Sequence, residues 1–236
     1  MKRIFYLLLA GSAFIAACTK NDVQTTPLAS LNIINATVGS TTIKANFTNK
    51  TNVFSGTVLS VAYGSNNAYT IPAGSATPVT ILATADTLHP VYNTPINAPA
   101  GTYYSLYLAG QVGAVDAVLY PESFKVHQDS TFSVRIVNLS YNSGPINMTL
   151  STSTTTNEIA GVAYKSVSDF KNYPATYKIT SYTFQLRDAT TNALLGSQAY
   201  TTAASMPRFQ NITLVLKGAV GGTGANALGL QLVKNF

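Results

Sequence analysis

From Leu31 onward the chain is built of short apolar runs separated by Gly, Pro, Asn and Ser. Leu31 to Ala36, Val58 to Tyr63, Val79 to Thr84, Val91 to Ile96 and Tyr103 to Ala109 each have the length of a strand, and turn residues separate them. Many short runs at this spacing predict an all-β sandwich or barrel. No segment sustains a helical apolar period between caps, so little helix is expected.

The pattern also repeats. Ser30-Leu-Asn-Ile-Ile-Asn35 matches Ser133-Val-Arg-Ile-Val-Asn138, and Val61-Ala-Tyr-Gly64 matches Val162-Ala-Tyr-Lys165. Pro72-Ala73 matches Pro174-Ala175, and Tyr104-Ser-Leu-Tyr-Leu-Ala-Gly110 matches Ile212-Thr-Leu-Val-Leu-Lys-Gly218. The order is kept and the offset stays between 101 and 108 residues. Two units near the commonest domain size are predicted, over 29–120 and 132–236, with 121–131 connecting them.

Alternation within the repeats assigns faces, because successive strand residues point to opposite sides. Tyr104, Leu106 and Leu108 align with Ile212, Leu214 and Leu216, all apolar, and are expected inside with Leu31, Ile33, Val134 and Ile136. Tyr103, Ser105 and Tyr107 align with Asn211, Thr213 and Val215, a mixed set expected to face solvent. Asn35 and Asn138 share the inward parity, so each is expected to cap or bridge a turn, since a buried amide must be hydrogen-bonded.

The start of the chain reads differently. Lys2 and Arg3 precede an apolar run, Ile4 to Ile15, closed by Ala16-Ala17. That is the charged, apolar and small-residue order of a secretory signal, and it is shorter than the roughly 20 residues of a spanning helix. Ile15-Ala16-Ala17-Cys18 resembles the lipobox of bacterial lipoproteins, whose cysteine takes a diacylglyceryl group. Cys18 is the chain's one cysteine, so it has no disulfide partner. Residues 1–17 are therefore expected to be a signal peptide, Cys18 the site of lipidation, and 18–28 a flexible tether. The expected location is the cell envelope, lipid-anchored at the outer membrane. Thr19 after the cysteine points to that membrane, on its surface or its periplasmic face, and the Lys20-Asn21-Asp22 stretch partly matches a surface-export tag.

The segments Leu31-Asn-Ile-Ile-Asn-Ala-Thr37, Val61-Ala-Tyr-Gly-Ser65, Ile71-Pro-Ala-Gly74 and Ala100-Gly-Thr-Tyr-Tyr-Ser-Leu106 resemble domain-of-unknown-function family 4397. The resemblance covers most of 29–120 and is weaker over 132–236. It implies a β-sandwich, often in tandem, in secreted and lipid-anchored bacterial proteins. It supplies no catalytic residues. The expected architecture is two tandem immunoglobulin-like antiparallel β-sandwich domains after a lipoprotein signal peptide.

Composition narrows the chemistry. Of 14 basic residues Lys2 and Arg3 belong to the leader, leaving 12 scattered ones against 8 acidic. Nucleic-acid binding would want a basic patch with interleaved aromatics, and no nucleic-acid partner is expected. His89 and His127 stand far apart in sequence, and no His, Cys, Asp and Glu cluster has metal-ligand spacing. No metal or cofactor is expected. The mature chain lacks a Gly-x-Ser-x-Gly elbow, although a triad assembled in space needs no local motif. Gly222-Thr-Gly224-Ala-Asn-Ala227 fits a dinucleotide fingerprint by spelling only, with too little chain after it for the helix and strand that motif needs.

Fourteen tyrosines and no tryptophan leave Tyr103 and Tyr107 as candidate surface aromatics for stacking on sugars or joining a protein interface. Asp86-Thr87-Leu88 and Asp129-Ser130-Thr131 resemble the O-glycosylation acceptor of exported Bacteroidetes proteins, making Thr87 and Ser130 candidate acceptors in predicted loops. The expected function is non-enzymatic: an anchored binding or structural module whose partners are the membrane through its lipid and a glycan or envelope protein. The competing class is an extracytoplasmic hydrolase. Facing carboxylates in a groove, or a serine beside His89 or His127, would favour the latter. An exposed tyrosine platform would favour the former.

Overall fold

The computed structural model describes residues 26–48, 60–179 and 181–235. Cys18, the leader and most of the tether lie outside the described residues.

The chain is an all-β stack of four four-stranded sheets. In the first half, β1 (Leu28–Asn35), β4 (Ser65–Pro72), β9 (Tyr103–Gln111) and β10 (Ala114–Pro121) form a sheet ordered β10-β9-β1-β4. It faces a second sheet, β3-β2-β6-β7, made of β2 (Thr42–Asn46), β3 (Ser60–Ala62), β6 (Thr80–Ala83) and β7 (Asp86–Asn93). A small pair, β5 (Ala76–Thr77) with β8 (Ile96–Asn97), sits beside them.

The second half repeats the plan. Strands β11 (Thr131–Asn138), β14 (Lys171–Pro174), β17 (Asn211–Lys217) and β18 (Gly229–Asn235) are ordered β14-β11-β17-β18. They face a sheet ordered β13-β12-β15-β16, made of β12 (Ile146–Leu150), β13 (Ser153–Val162), β15 (Tyr182–Asp188) and β16 (Leu194–Tyr200).

Most neighbours are antiparallel, but the central pairs β1–β9 and β11–β17 run parallel. Their registers correspond: Ser30 opposes Tyr103 as Ser133 opposes Asn211. The connecting segment bonds Tyr103 at the start of β9 and Asn211 at the start of β17, so β1, β9, β11 and β17 all begin at one end of the stack, here called the entry end, and run towards the far end.

The inward faces lie as alternation requires. Leu31, Ile33, Leu106 and Leu108 pack with Ile43 and Ile81 in one core. Val134, Ile136, Ile212, Leu214 and Leu216 pack with Ile146, Met148, Phe184 and Leu186 in another. Each fully buried aliphatic side chain of this kind contributes about 1.5–3 kcal/mol.

The opposite face of these strands departs from expectation. Ser105, Tyr107, Asn211, Thr213 and Val215 are all buried. The two inner sheets meet face to face, and Ile34, Ala36, Tyr107 and Ala109 pack against Val137, Leu139, Val215 and Val233 in a third core. The mixed set is a seam between halves, not a solvent face. Polar contacts also cross it: Tyr164 and Lys165 donate to the Asp116 carboxylate at 2.8 and 2.9 Å. The Lys217 ammonium lies 4.5 Å from the Tyr63 ring centroid. The central strands β1, β9, β11 and β17 are thus largely buried on both faces.

The connecting segment belongs to this seam. The Glu122 N–H donates to the Tyr103 carbonyl. Lys125 and Asn211 exchange two bonds, backbone N–H to side-chain oxygen at 3.0 Å and side-chain amide to backbone carbonyl at 2.9 Å.

A candidate binding groove at the seam

At the entry end the two inner sheets do not fully cover each other, and a groove of about 250 Å³ remains. Asn32, Asn66, Tyr103, Glu122, Phe124 and Lys234 are among the residues lining it. The alternation of β1 and β9 positions Asn32 and Tyr103: both sit on the seam-facing side, beyond the region that β11 and β17 cover. Phe124 comes from the connecting segment and meets Tyr103 edge to face, centroids 5.8 Å apart. Such a pair contributes about 0.5–1.5 kcal/mol beyond its buried area. The side chain of Asn66 donates to Asn32 at 3.0 Å, which orients both amides.

Behind the groove stands a buried ionic cluster. Arg135, 1% exposed, donates to Glu122 Oε1 at 2.6 Å, to the Tyr107 hydroxyl at 3.0 Å and to Thr213 Oγ1 at 2.9 Å. Its guanidinium lies 4.5 Å from the Phe170 centroid and 5.3 Å from that of Tyr120. Phe170 in turn contacts Phe124, centroids 6.4 Å apart. A continuous line of rings and one cation runs from Tyr103 through Phe124 and Phe170 to Arg135 and holds the groove's aromatic side in place. Burial alone would push the Arg135 pKa down, but Tyr107 and Glu122 opposite hold it above its ordinary value. Burial pushes the Tyr107 phenol up to about 12, so it stays neutral and accepts from the arginine.

The candidate aromatics therefore part company. Tyr103 is 39% exposed and lines the groove. Tyr107 is 1% exposed and is no surface aromatic, because the second inner sheet covers it and Arg135 takes its hydroxyl. Alternation alone placed Phe124, Glu122 and Asn66 nowhere. They come from a connecting segment and a neighbouring strand, and only the fold brings them to Tyr103.

Thr87 is exposed, but it lies in β7, the second residue of a strand and not a loop. Beside it Asp86 pairs with His89 at 2.8 Å. Ser130 is half-buried in the bend before β11, and its carbonyl accepts from Ala175 at 2.6 Å.

A serine does stand near His127. Ser133 Oγ lies 3.3 Å from His127 Nε2. Its proton is directed elsewhere, to Asn172 Oδ1 at 2.6 Å. His127 Nδ1 meets Thr131 Oγ1 at 2.9 Å, and that hydroxyl donates to Asp129 at 2.7 Å. Because the Thr131 proton is committed to Asp129, His127 donates from Nδ1. Ser133 is fully buried under Asn172, so no substrate carbonyl reaches it in this arrangement. Among the described residues no group of three or more His, Cys, Asp and Glu could hold a metal ion.

No family model matches the chain, and no curated protein does. Among solved structures, the family 26 carbohydrate-binding module CBMbc of Eubacterium rectale Amy13K, crystallised with maltoheptaose, aligns with 88% of this chain and 96% of its own. The identity is 6% and the TM-score 0.27. At that score the alignment assigns neither residue nor ligand.

Proposed function

We propose that this protein is a lipid-anchored, non-enzymatic module of the bacterial envelope that binds glycan in the seam groove. The observation that carries the glycan reading is the groove itself. It pairs the rings of Tyr103 and Phe124 with the Asn32 and Asn66 amides, apolar faces beside hydrogen-bonding groups. Sugars present the same combination, C–H faces beside hydroxyls, and sites of this type are concave with a few placed polar groups. At about 250 Å³ the groove is smaller than the roughly 300–1,000 Å³ of drug-sized sites, so it suits a short stretch of a longer chain.

The anchor reading rests on the Lys2-Arg3, Ile4–Ile15 and Ala16-Ala17-Cys18 order. The tandem reading, with each half a copy of domain-of-unknown-function family 4397, rests on the repeated motifs.

The test is calorimetric titration of the mature chain with hexaoses of glucan, xylan and mannan, and with oligogalacturonate. At least one is expected to bind, and Tyr103→Ala with Phe124→Ala to abolish binding without changing the melting temperature by more than a few degrees. Binding that survives both substitutions, or none across the panel, would refute the groove. For the anchor, Cys18→Ala is expected to abolish palmitate labelling and membrane fractionation.

A further inference from the structure

The two ends of the stack both expose apolar side chains, but their cations differ. The far end carries Val112, Tyr141 and Val220 exposed. Three acids lie there, Asp86 opposite Ala83, Asp116 opposite Ala109 and Asp188 opposite Ile146, together with three engaged cations: Lys165 on Asp116, Lys217 over the Tyr63 ring and Arg187 on Gln185 and the Asn192 carbonyl. The entry end exposes Leu28, Val126, Tyr177 and Phe209, with Val126 88% and Tyr177 78% accessible. Around them stand Lys125, Lys178 and Lys234, all exposed, and none of the three makes an ion pair among the described residues. Lys178 lies beside the Tyr177 ring, 6.0 Å from its centroid. The acids at this end are Asp129, which accepts from Thr131, and Glu122, buried against Arg135.

Phe209 adds a second peculiarity. Its N–H donates to the Thr131 carbonyl just as that of Gly101 donates to Leu28 in the first half. The position has φ +71° at Gly101 and φ +60° at Phe209. A bulky residue in the left-handed region is unusual, and here the ring projects 54% exposed. Finally, the 25 residues before Thr26 join the fold at this end, through Leu28.

We propose that the entry end rests on an anionic bilayer surface. Phe209, Val126 and Tyr177 dip into the headgroup layer, and Lys125 and Lys178 meet lipid phosphates, while Lys234 lines the groove. Exposed apolar side chains flanked by cations are the composition that binds such interfaces, through apolar area together with attraction to anionic lipid. The far end has apolar area too, but its cations are engaged, Lys165 with Asp116, Lys217 with the Tyr63 ring and Arg187 with Gln185, so it faces away. This inference rests on the anchor reading for its setting, and not on the glycan reading.

The chain contains no tryptophan, so a single introduced one reports alone. Full-length lipidated protein carrying Phe209→Trp, or Tyr141→Trp at the far end, is reconstituted in mixed phosphatidylcholine–phosphatidylglycerol vesicles containing dibrominated lipid. The expected result is a blue shift and bromine quenching for Phe209→Trp and neither for Tyr141→Trp. Adding Lys125→Glu and Lys178→Glu is expected to reduce the quenching. Equal quenching of both reporters, or quenching of neither, would overturn the proposal. If Cys18 proves to carry no lipid, the same unlipidated chains are floated with these vesicles, and failure to float or to quench at Phe209→Trp overturns it as well. Oligosaccharide titration of the same samples reads the groove separately.

Discussion

Asn35 and Asn138 hold equivalent turns in equivalent ways, whereas Asn32 and Arg135, equivalent on the other side of the same strands, do unrelated things. The Asn35 side chain donates to the Val61 carbonyl and accepts from the Thr37 N–H and the Ser40 hydroxyl. That of Asn138 donates to the Val162 carbonyl and accepts from the Ser140 N–H and the Ser143 hydroxyl. The left-handed positions recur too: Gly64 and Lys165, Gly110 and Gly218 all have positive φ. On the seam side, by contrast, Asn32 bonds a neighbouring asparagine while Arg135 anchors the buried cluster. The residues that make each sandwich are thus shared, and those that join the sandwiches are not. A symmetric seam would close equally along its length. The mismatch of Tyr103 with Asn211 and of Asn32 with Arg135 accompanies an opening on one side only.

The sharpest way to test this contrast is at the cluster. Glu122→Ala leaves Arg135 buried without its anion, which costs roughly 3–5 kcal/mol. Asn32→Ala, at the half-buried equivalent of Arg135, should change stability by only about 0.5 kcal/mol. Urea melts of the two variants would measure the difference, and equal costs would remove the asymmetry. Next in size, Leu106→Ala and Leu214→Ala empty equivalent inward positions and should each cost roughly 2–5 kcal/mol. Because the seam is a packed core, both should shift one common unfolding transition. Two separate transitions would show that the halves fold independently. Phe209→Gly places the residue of the first half into the second and should stabilise by about 1 kcal/mol by relieving the left-handed backbone.

The smallest effect is electrostatic. Bonds from Lys165 and Tyr164 hold the Asp116 carboxyl below its ordinary value of 3.8. A depressed folded value means the stabilisation is complete well above 3.8, falls as pH drops through that region, and is gone below the folded value. Asp116→Asn should flatten that part of an acid melt. Since the pair is 44% and 39% exposed, the change should be slight and salt-sensitive.

Much of the fold was legible because burial on the inner side is strict. Leu106, Leu108, Leu214 and Leu216 alternate with smaller or polar neighbours, and alternation identifies an inward face. The seam was harder to read. Ser105, Thr213 and Asn211 look like solvent positions, and Arg135 looks like an exposed charge, because their partners lie far off in sequence: Arg135 bonds Tyr107 and Glu122, Thr213 bonds Arg135 and Asn235, and Asn211 bonds Lys125. A signal existed in Ile33-Ile34, Ile136-Val137 and Leu214-Val215-Leu216. Consecutive apolar residues of this kind mark strands covered on both faces. Of the groove, Tyr103 was visible from its strand. Phe124 and Glu122 were not, since nothing local distinguishes a connecting segment that docks from one that hangs free.

The shared beginning of β1, β9, β11 and β17 has a mechanical consequence. The upstream chain enters at Leu28, and the groove opens beside Tyr103 and Asn32 on the same end. A pull between the upstream chain and an occupant of the groove would therefore cross only the opening residues of β1, from Leu28 to Asn32. The ladder bonds of that short stretch to β4 and β9 would carry the load, while the far half of β1 and both outer sheets stay outside the line of force.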